Sequence, residues 1–513
     1  MGGRRGKPSR ITDKKSHIVQ ESINMGLILQ MEPWRLRWAV PIAVLLMVQL
    51  CSESEAIEVK ILKSGLESHV VGSEAKVMRQ RVDHYNAQDH RTFGQRWYEH
   101  TDYFKAPDGP VFLRICGEAA CSGISNDYLM VLAQEFGAAV VTLEHRYYGE
   151  SLPFDDLSTE NLRFLSSKQA LFDLAAFRNY YQELLNQRHN RTGDDNPWIV
   201  SGISYSGALS AWFQIKFSHL SRGAISSSGV VLAVLNYTDF DRQVAESAGP
   251  VCASALRQVT AEVEEAVKKN ATAIKELFSA GQLKNDGDFF YFLADAAAIA
   301  FQYGNPDRLC KPLEEVYTNN GDVVAAYAEI VKSFYIDYFG TSVDTYDQES
   351  LKNTTPGPHS GDRMWWYQVC SEVAYFQAAY EGSIRSSEVS VKYHLDLCAN
   401  VFGAGMYPEV EITNLFYGGT AIYGSKIVFM NGSQDPWRWA SKQTSSPGEP
   451  SFLIKCQNCG HGTDMRGCPQ SPLQAKGDAS KCDNPLEVLK ARELISTFIG
   501  EWLAEPVKCL EQL

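Results

Sequence analysis

Positive charge, long apolar runs and internal repetition are all scarce in this chain of 513 residues. Lys and Arg together number 48 against 61 Asp and Glu, a formal net charge of −13. With neither a basic surplus nor a basic patch interleaved with aromatics, the chain lacks the electrostatic footprint of a nucleic-acid binder. The apolar stretch Trp38 to Leu50 is broken by Pro41 and falls short of the ~20 residues a spanning helix needs, so no stable membrane span is expected. No repeating unit is visible, which excludes solenoids and propellers.

What is present at the N-terminus reads as an export signal. Arg35 and Arg37 precede the apolar stretch, and the small residues Ser54 and Ala56 follow it, so residues 1–56 form a secretory signal cut after Ala56. A start at Met25 or Met31, or retention of the segment as an uncleaved anchor, stays open. Eleven of the twelve cysteines lie beyond Ala56, in a context where disulfides persist, and their odd number leaves at least one thiol outside an intramolecular pair. Four Asn-Xaa-Ser/Thr sequons, at Asn190, Asn236, Asn270 and Asn353, read as glycosylated surface positions; a fifth, at Asn431, is expected to be unmodified.

The rest of the chain is organised around Trp198-Ile199-Val200-Ser201-Gly202-Ile203-Ser204-Tyr205-Ser206-Gly207. It reads as an apolar strand, a cramped turn of small residues with Ser204 at its tip, and a helix continuing through Trp212. That is the layout of a nucleophile elbow, although an ordinary strand-to-helix turn gives the same text. Before it lie strands at Pro110–Ile115 and Ala138–Leu143, a helix over Tyr128–Phe136 and an amphipathic helix over Ser167–Gln187; a further strand begins at Gly223. Residues 57–109 suggest a leading strand or hairpin. From Tyr237 to Tyr380 the text is helical, with helices at Ala261–Lys269, Ala273–Phe278, Phe289–Phe301 and Val323–Phe339. Strands resume at Ile427–Met430 and Ser451–Ile454, and a helix opening at Asn484 and Pro485 closes the chain.

Strands alternating with helices imply a mostly parallel sheet covered on both faces. The expected fold is therefore an α/β-hydrolase core, first part 57–236 and second part 401–513, with a helical cap inserted at 237–400.

Two loops after the later strands carry side chains suited to a serine nucleophile. Asp435 stands before Pro436, which biases its backbone toward an extended form; it reads as the acid of a triad or as a plain Asx turn. His461 lies between Gly460 and Gly462, free to approach another group. Ser204, Asp435 and His461 occur in the chain order of α/β-hydrolase triads. The backbone N–H of Tyr205 and one near Gly117 are the expected oxyanion donors. Cys456, Cys459, His461, Cys468 and Cys482 could be drawn as a zinc site, but clustered cysteines in an exported chain are disulfides far more often. No metal and no cofactor is expected.

With these pieces assembled, the sequence resembles the family of prolyl carboxypeptidase, dipeptidyl peptidase II and thymus-specific serine protease, nearest the thymus-specific branch. The residues that carry the resemblance are Gln95-Arg96-Trp97-Tyr98, Gly117-Glu118, Glu144 to Ser151, the elbow, Trp366 to Glu372 and Asn431 to Trp437. The resemblance implies a serine exopeptidase that often cuts after proline, outside the cell or in a vacuolar or lysosomal compartment. It places Trp437 at the wall of the pocket for the residue before the scissile bond. Glu372 is a candidate for binding a substrate amine, or else a structural partner within the cap. Ile203 and Ser206 replace the family's small residues beside the nucleophile, and Ala119-Ala120-Cys121 replaces its glycine-rich segment. Peptides are the expected partners, with a homodimer left open. An esterase or lipase on the same scaffold, and a non-catalytic binding protein, are the competing readings.

Overall fold

A strand buried at every position needs cover on both faces, and Ala139–Leu143, Gly223–Ser227 and Ile427–Gly432 are such strands. The computed structural model describes residues 70–193, 195–357, 360–466 and 485–505. The signal segment, Cys468, Cys482 and Asn484 lie outside the described residues.

Eight strands form one sheet: β1 (Lys76–Arg81), β2 (Thr92–His100), β3 (Val111–Ile115), β4 (Ala139–Leu143), β5 (Trp198–Ile203), β6 (Gly223–Ser227), β7 (Ile427–Gly432) and β8 (Ser451–Ile454). Their spatial order is β8-β7-β6-β5-β3-β4-β2-β1. The run from β8 to β4 is parallel, and β2 and β1 are added antiparallel as the leading hairpin. Successive side chains point to opposite faces, and the core divides accordingly. Val111, Leu113, Val141, Val200, Ile427 and Phe429 join one buried cluster, while Phe112, Val140, Ile199, Val428 and Met430 join the other.

Helices cover each face. On the second face lie α1 (Tyr128–Phe136) and the closing helix Leu486–Ala504, joined where Tyr128 Oη donates to the Arg492 carbonyl at 2.9 Å. On the first face lie α2 (Ser167–Arg188) and α3 (Tyr205–Lys216). The closing helix starts at Leu486 with Pro485 in the cap position, so the proline stands one place earlier than the sequence suggests.

Among the described residues no strand of this sheet falls between Ser227 and Ile427. Helices fill the interval, among them α4 (Thr238–Leu277), α5 (Asp286–Gln302), α6 (Pro306–Thr318), α7 (Val323–Ile330), α8 (Ser360–Gln368) and α9 (Val391–Phe402). The longest differs from the sequence expectation. It begins at Thr238 rather than Ala261, because the break at Gly249 (φ 74°) is local and Pro250 restarts a helical turn that needs no proline N–H. A second break at Asn270, whose Oδ1 accepts from the Ala273 N–H, falls where the sequence separates two helices. After Ile330 the coil widens to a π-helix over Val331–Tyr338, which the sequence reads as one continuous α-helix.

Disulfides Cys252–Cys310 and Cys370–Cys398 tie α4 to α6 and the end of the α8 segment to α9. Cys116–Cys121 closes the loop after β3, and Cys456–Cys459 closes the loop after β8. No described helix is long and apolar enough to cross a membrane.

Candidate active site

In a parallel sheet, loops at the carboxyl ends of the strands are where functional groups gather. Ser204 follows β5, Asp435 follows β7 and His461 follows β8.

Ser204 holds φ 65° and ψ −129°, a conformation that costs a non-glycine residue of order 1–3 kcal/mol and persists only where its surroundings impose it. Its N–H donates to the Ser227 carbonyl at 3.0 Å, and its carbonyl accepts from Ala208 in the first turn of α3. The two residues that depart from the family pattern help fix this turn. Ser206 Oγ donates to the Ile203 carbonyl at 2.7 Å and accepts from the Ile203 N–H at 3.1 Å. Gly202 lies so close to the helix that a Cβ there would stand 2.0 Å from the Ser206 carbonyl oxygen. Gly202→Ala is therefore expected to destabilise the fold by about 3 kcal/mol or more, at or beyond the upper end for overpacking. A thermal melt that matches wild type would contradict the tight elbow.

Asp435 is fully buried, and its two oxygens have different partners. Oδ1 accepts from the Trp437 N–H at 2.9 Å, which is the Asx turn. Oδ2 lies 2.8 Å from His461 Nδ1. The two meanings the sequence allows for Asp435 thus coexist, one on each oxygen. His461 is 3% exposed, and its Nε2 has no hydrogen-bond partner. A carboxylate on Nδ1 keeps the proton there and leaves Nε2 as a lone-pair acceptor.

The His461 loop is fastened on three sides. The His461 N–H donates to the Gln302 carbonyl at the end of α5, at 2.7 Å. A Cβ on Gly460 would stand 2.4 Å from that same oxygen, which is why the histidine follows glycine. The Gly462 N–H donates to Ser228 Oγ at 2.9 Å, and a Cβ on Gly462 would meet the Ile203 side chain at 2.6 Å, so the loop abuts the residue before Ser204. Cys456 and Cys459, for which the export context favours disulfides over a zinc site, are bonded to each other just ahead of this loop.

Beneath the loop Asp464 is 1% exposed, accepts from Ser227 Oγ and has no partner on Oδ2. Burial pushes its carboxyl up to about 6, although the Ser227 bond works the other way. A carboxyl raised on folding adds stability that is full below its unfolded value and is lost as pH rises through the folded one. Between pH 4 and 7 wild type is thus expected to lose on the order of 2–3 kcal/mol at this group. Asp464→Asn should melt higher than wild type at pH 7.5 and no higher at pH 4. Equal pH slopes for the two proteins would contradict the assignment.

Ser204 and Trp437 line one cavity of ≈ 990 Å³, with walls that include Glu118, Tyr148, Phe240, Tyr375 and Asp295. Trp437 is surrounded by Phe240 at 5.0 Å, Tyr375 at 5.7 Å and Tyr237 at 5.9 Å between ring centroids, and lies 6.5 Å from the His461 ring. Glu118 stands at the cavity wall, where burial raises its carboxyl.

The remaining expected positions are placed as follows. Tyr205 is the first residue of α3, and a Cβ built on Gly117 would lie 3.6 Å from the Ser206 Cβ, so both border the elbow. Glu372 is not brought to the cavity lining. Its carboxylate accepts from the Ser167 N–H at 2.9 Å and from Ser167 Oγ, at the start of α2. Asn190, Asn236, Asn270 and Asn353 are exposed, and Asn431 is 1% exposed.

Sequence reasoning missed the hydrogen-bond chain supporting the elbow. Tyr148 Oη donates to Gln368 Oε1 at 2.7 Å, Gln368 Nε2 donates to Tyr205 Oη at 2.8 Å, and His145 Nε2 lies 3.3 Å from that hydroxyl. Burial pushes His145 down to about 4, so its imidazole is neutral. The signal was present in the Tyr148 and Gln368 motifs, but nothing in the text pairs residues so far apart. Asp295 and His394 were also missed, because a cap helix buries and exposes polar residues with the same period.

This strand order, with a serine elbow after β5 and an acid and a histidine after β7 and β8, defines an α/β-hydrolase. The chain belongs to the family described as Serine carboxypeptidase S28, which it matches over residues 80–474, and is thus a member of a serine-peptidase family. It is 52% identical to "Probable serine protease EDA2" of Arabidopsis thaliana over 429 residues, covering 83% of this chain and 88% of that one. To the "Thymus-specific serine protease" of Mus musculus it is 31% identical, covering 83% and 87%. To the "Lysosomal Pro-X carboxypeptidase" of Bos taurus it is 26% identical, covering 84% and 88%.

Proposed function

We propose that this chain hydrolyses peptide bonds through an acyl-enzyme on Ser204, with His461 as general base and acid and Asp435 holding the imidazole. It acts as an exopeptidase on proline-containing peptides. The observation that carries this reading is the 2.8 Å contact between His461 Nδ1 and Asp435 Oδ2, with Nε2 left unpartnered on a loop that abuts Ile203, the residue before Ser204.

The chemistry follows from that geometry. Nε2 takes the Ser204 proton as Oγ attacks the carbonyl, and Asp435 stabilises the imidazolium. The negative charge on the carbonyl oxygen is met by the Tyr205 N–H and an N–H beside Gly117, each contributing about 3 kcal/mol. The imidazolium then protonates the leaving amine, and water repeats the sequence on the ester. The rings of Phe240 and Tyr375, set edge to face on Trp437 at 76° and 83°, make an apolar corner that suits a pyrrolidine ring, which brings no N–H to satisfy. The Bos taurus relative, a Pro-X carboxypeptidase by name, points the same way.

Four disulfides among the described residues and four exposed sequons fit a secretory-pathway protein, destined for the extracellular space, a vacuole or a lysosome. Turnover of Xaa-Pro and Pro-Xaa peptides and of simple esters, measured from pH 4 to 8, tests the reading. Cleavage after proline is expected. Turnover of esters with no peptide cleavage would contradict it.

A further inference from the structure

The wall of the cavity contributed by α5 and α9 has a consistent chemistry. Asp295, on α5, keeps 23% of its side chain accessible and lines the cavity. Its Oδ2 accepts from Tyr346 Oη at 3.0 Å, and its Oδ1 lies 3.5 Å from Arg385 Nη2. That guanidinium is fully buried and is held by two shorter bonds, of 2.7 and 3.0 Å, to Asp241. One cation thus serves two carboxylates; burial pushes the Asp295 carboxyl up to about 6 against the pull of Arg385, so the group that reaches the cavity carries its charge at pH 7 and loses it in acid.

His394, on α9, lines the same cavity and is 1% exposed. Its Nε2 lies 2.9 Å from the Gln377 carbonyl, which can only accept, so the proton sits on Nε2 and Nδ1 is a lone pair. That Nδ1 has no partner, and a buried polar atom left bare asks for an explanation. Burial pushes this imidazole down to about 3, so it stays neutral. Tyr291 connects the two groups, its ring 5.3 Å from the His394 ring and 5.5 Å from the Tyr346 ring, and Trp366 stacks on His394 at 6.1 Å.

The wall therefore offers a carboxylate and aromatic faces, a set that receives a cation with N–H groups, while the bare His394 Nδ1 is itself shut off from solvent. Among the described residues lining the cavity the one Lys or Arg is Arg96, and it is bound at two points to Glu144. A substrate carboxylate would find no free cation there. Arg385 does not line the cavity.

We infer that Asp295, with the aromatic rings of Tyr291, Tyr346 and Trp366 that line the same wall, forms a receptor for the free α-ammonium group of the substrate, so that the enzyme removes short segments from the N-terminus of peptides. This rests on the peptidase reading above and selects one end of the peptide within it.

The test is calorimetric binding of three proline-containing peptides to full-length Ser204→Ala: one with both ends free, one N-acetylated, one C-terminally amidated. Acetylation is expected to weaken binding at least about 30-fold, within the range for a lost charged partner, while amidation changes it less than about 3-fold. Asp295→Asn in the same background should bring the free and acetylated peptides to within a few-fold of each other. Equal binding of free and acetylated peptides, or selective loss on amidation, overturns the inference. If Asp295→Asn does not fold, the comparison without it decides. In wild type, cleavage of acetylated peptides at the free-peptide rate would end this inference while leaving the peptidase reading standing; absence of all peptide cleavage would end both.

Discussion

Replacing Ser204 with alanine is expected to lower kcat on peptides by on the order of 10⁶-fold, with KM little changed. The size follows from the chemistry. Without Oγ no covalent ester forms, and His461 Nε2 has no nucleophile to activate. Because serine and histidine act as one unit, His461→Ala should cost about as much, and the double variant no more than either alone. A double variant far worse than both singles would mean that the two side chains serve separate steps. Stopped-assay progress curves over days, with active-site titration of residual wild type, give the needed range.

Asp435→Asn carries the second-largest expected effect, a fall in kcat of about 10⁴-fold. Oδ2 now accepts from His461 Nδ1 at 2.8 Å. An amide NH₂ at that position would donate, forcing the imidazole proton to Nε2, where it blocks removal of the Ser204 proton. The other oxygen, which accepts from the Trp437 N–H at 2.9 Å, can be retained by the asparagine carbonyl, so the loop should keep its form. The expected result is a large loss of kcat with a melting temperature near that of wild type. A drop in kcat of less than about tenfold would contradict the role given to Asp435.

Helix Tyr128–Phe136 and strand Ser451–Ile454 were legible to the residue, because each is bounded by a local signal: a capping Asp127 and Gly137 for the helix, and turn residues before the strand. The elbow was legible because its glycines are needed at close range, as Gly202 against the Ser206 carbonyl makes plain. What could not be read were pairings that the fold alone creates. Tyr148, Gln368 and Tyr205 meet beneath the elbow, and Glu372 meets the start of α2, across separations no periodicity reports. The start of the long cap helix was missed for the opposite reason. Gly249-Pro250 is a strong local stop signal and does break the coil at Gly249, but Pro250 at once opens a new helical turn, so the helix runs well ahead of Ala261. Asp295 illustrates the same limit at the cavity: it is an ordinary polar residue on its helix until burial on one side gives it a role.

Every catalytic role proposed for this site rests on Ser204 acting as a nucleophile activated by His461. Reaction of the purified protein with a fluorophosphonate probe, followed by mass mapping of the modified peptide, tests it most directly. A single adduct on Ser204, lost in Ser204→Ala and slowed at least about a hundredfold in His461→Ala, is the result expected. An unmodified wild-type protein, or an adduct that survives in Ser204→Ala, would contradict it.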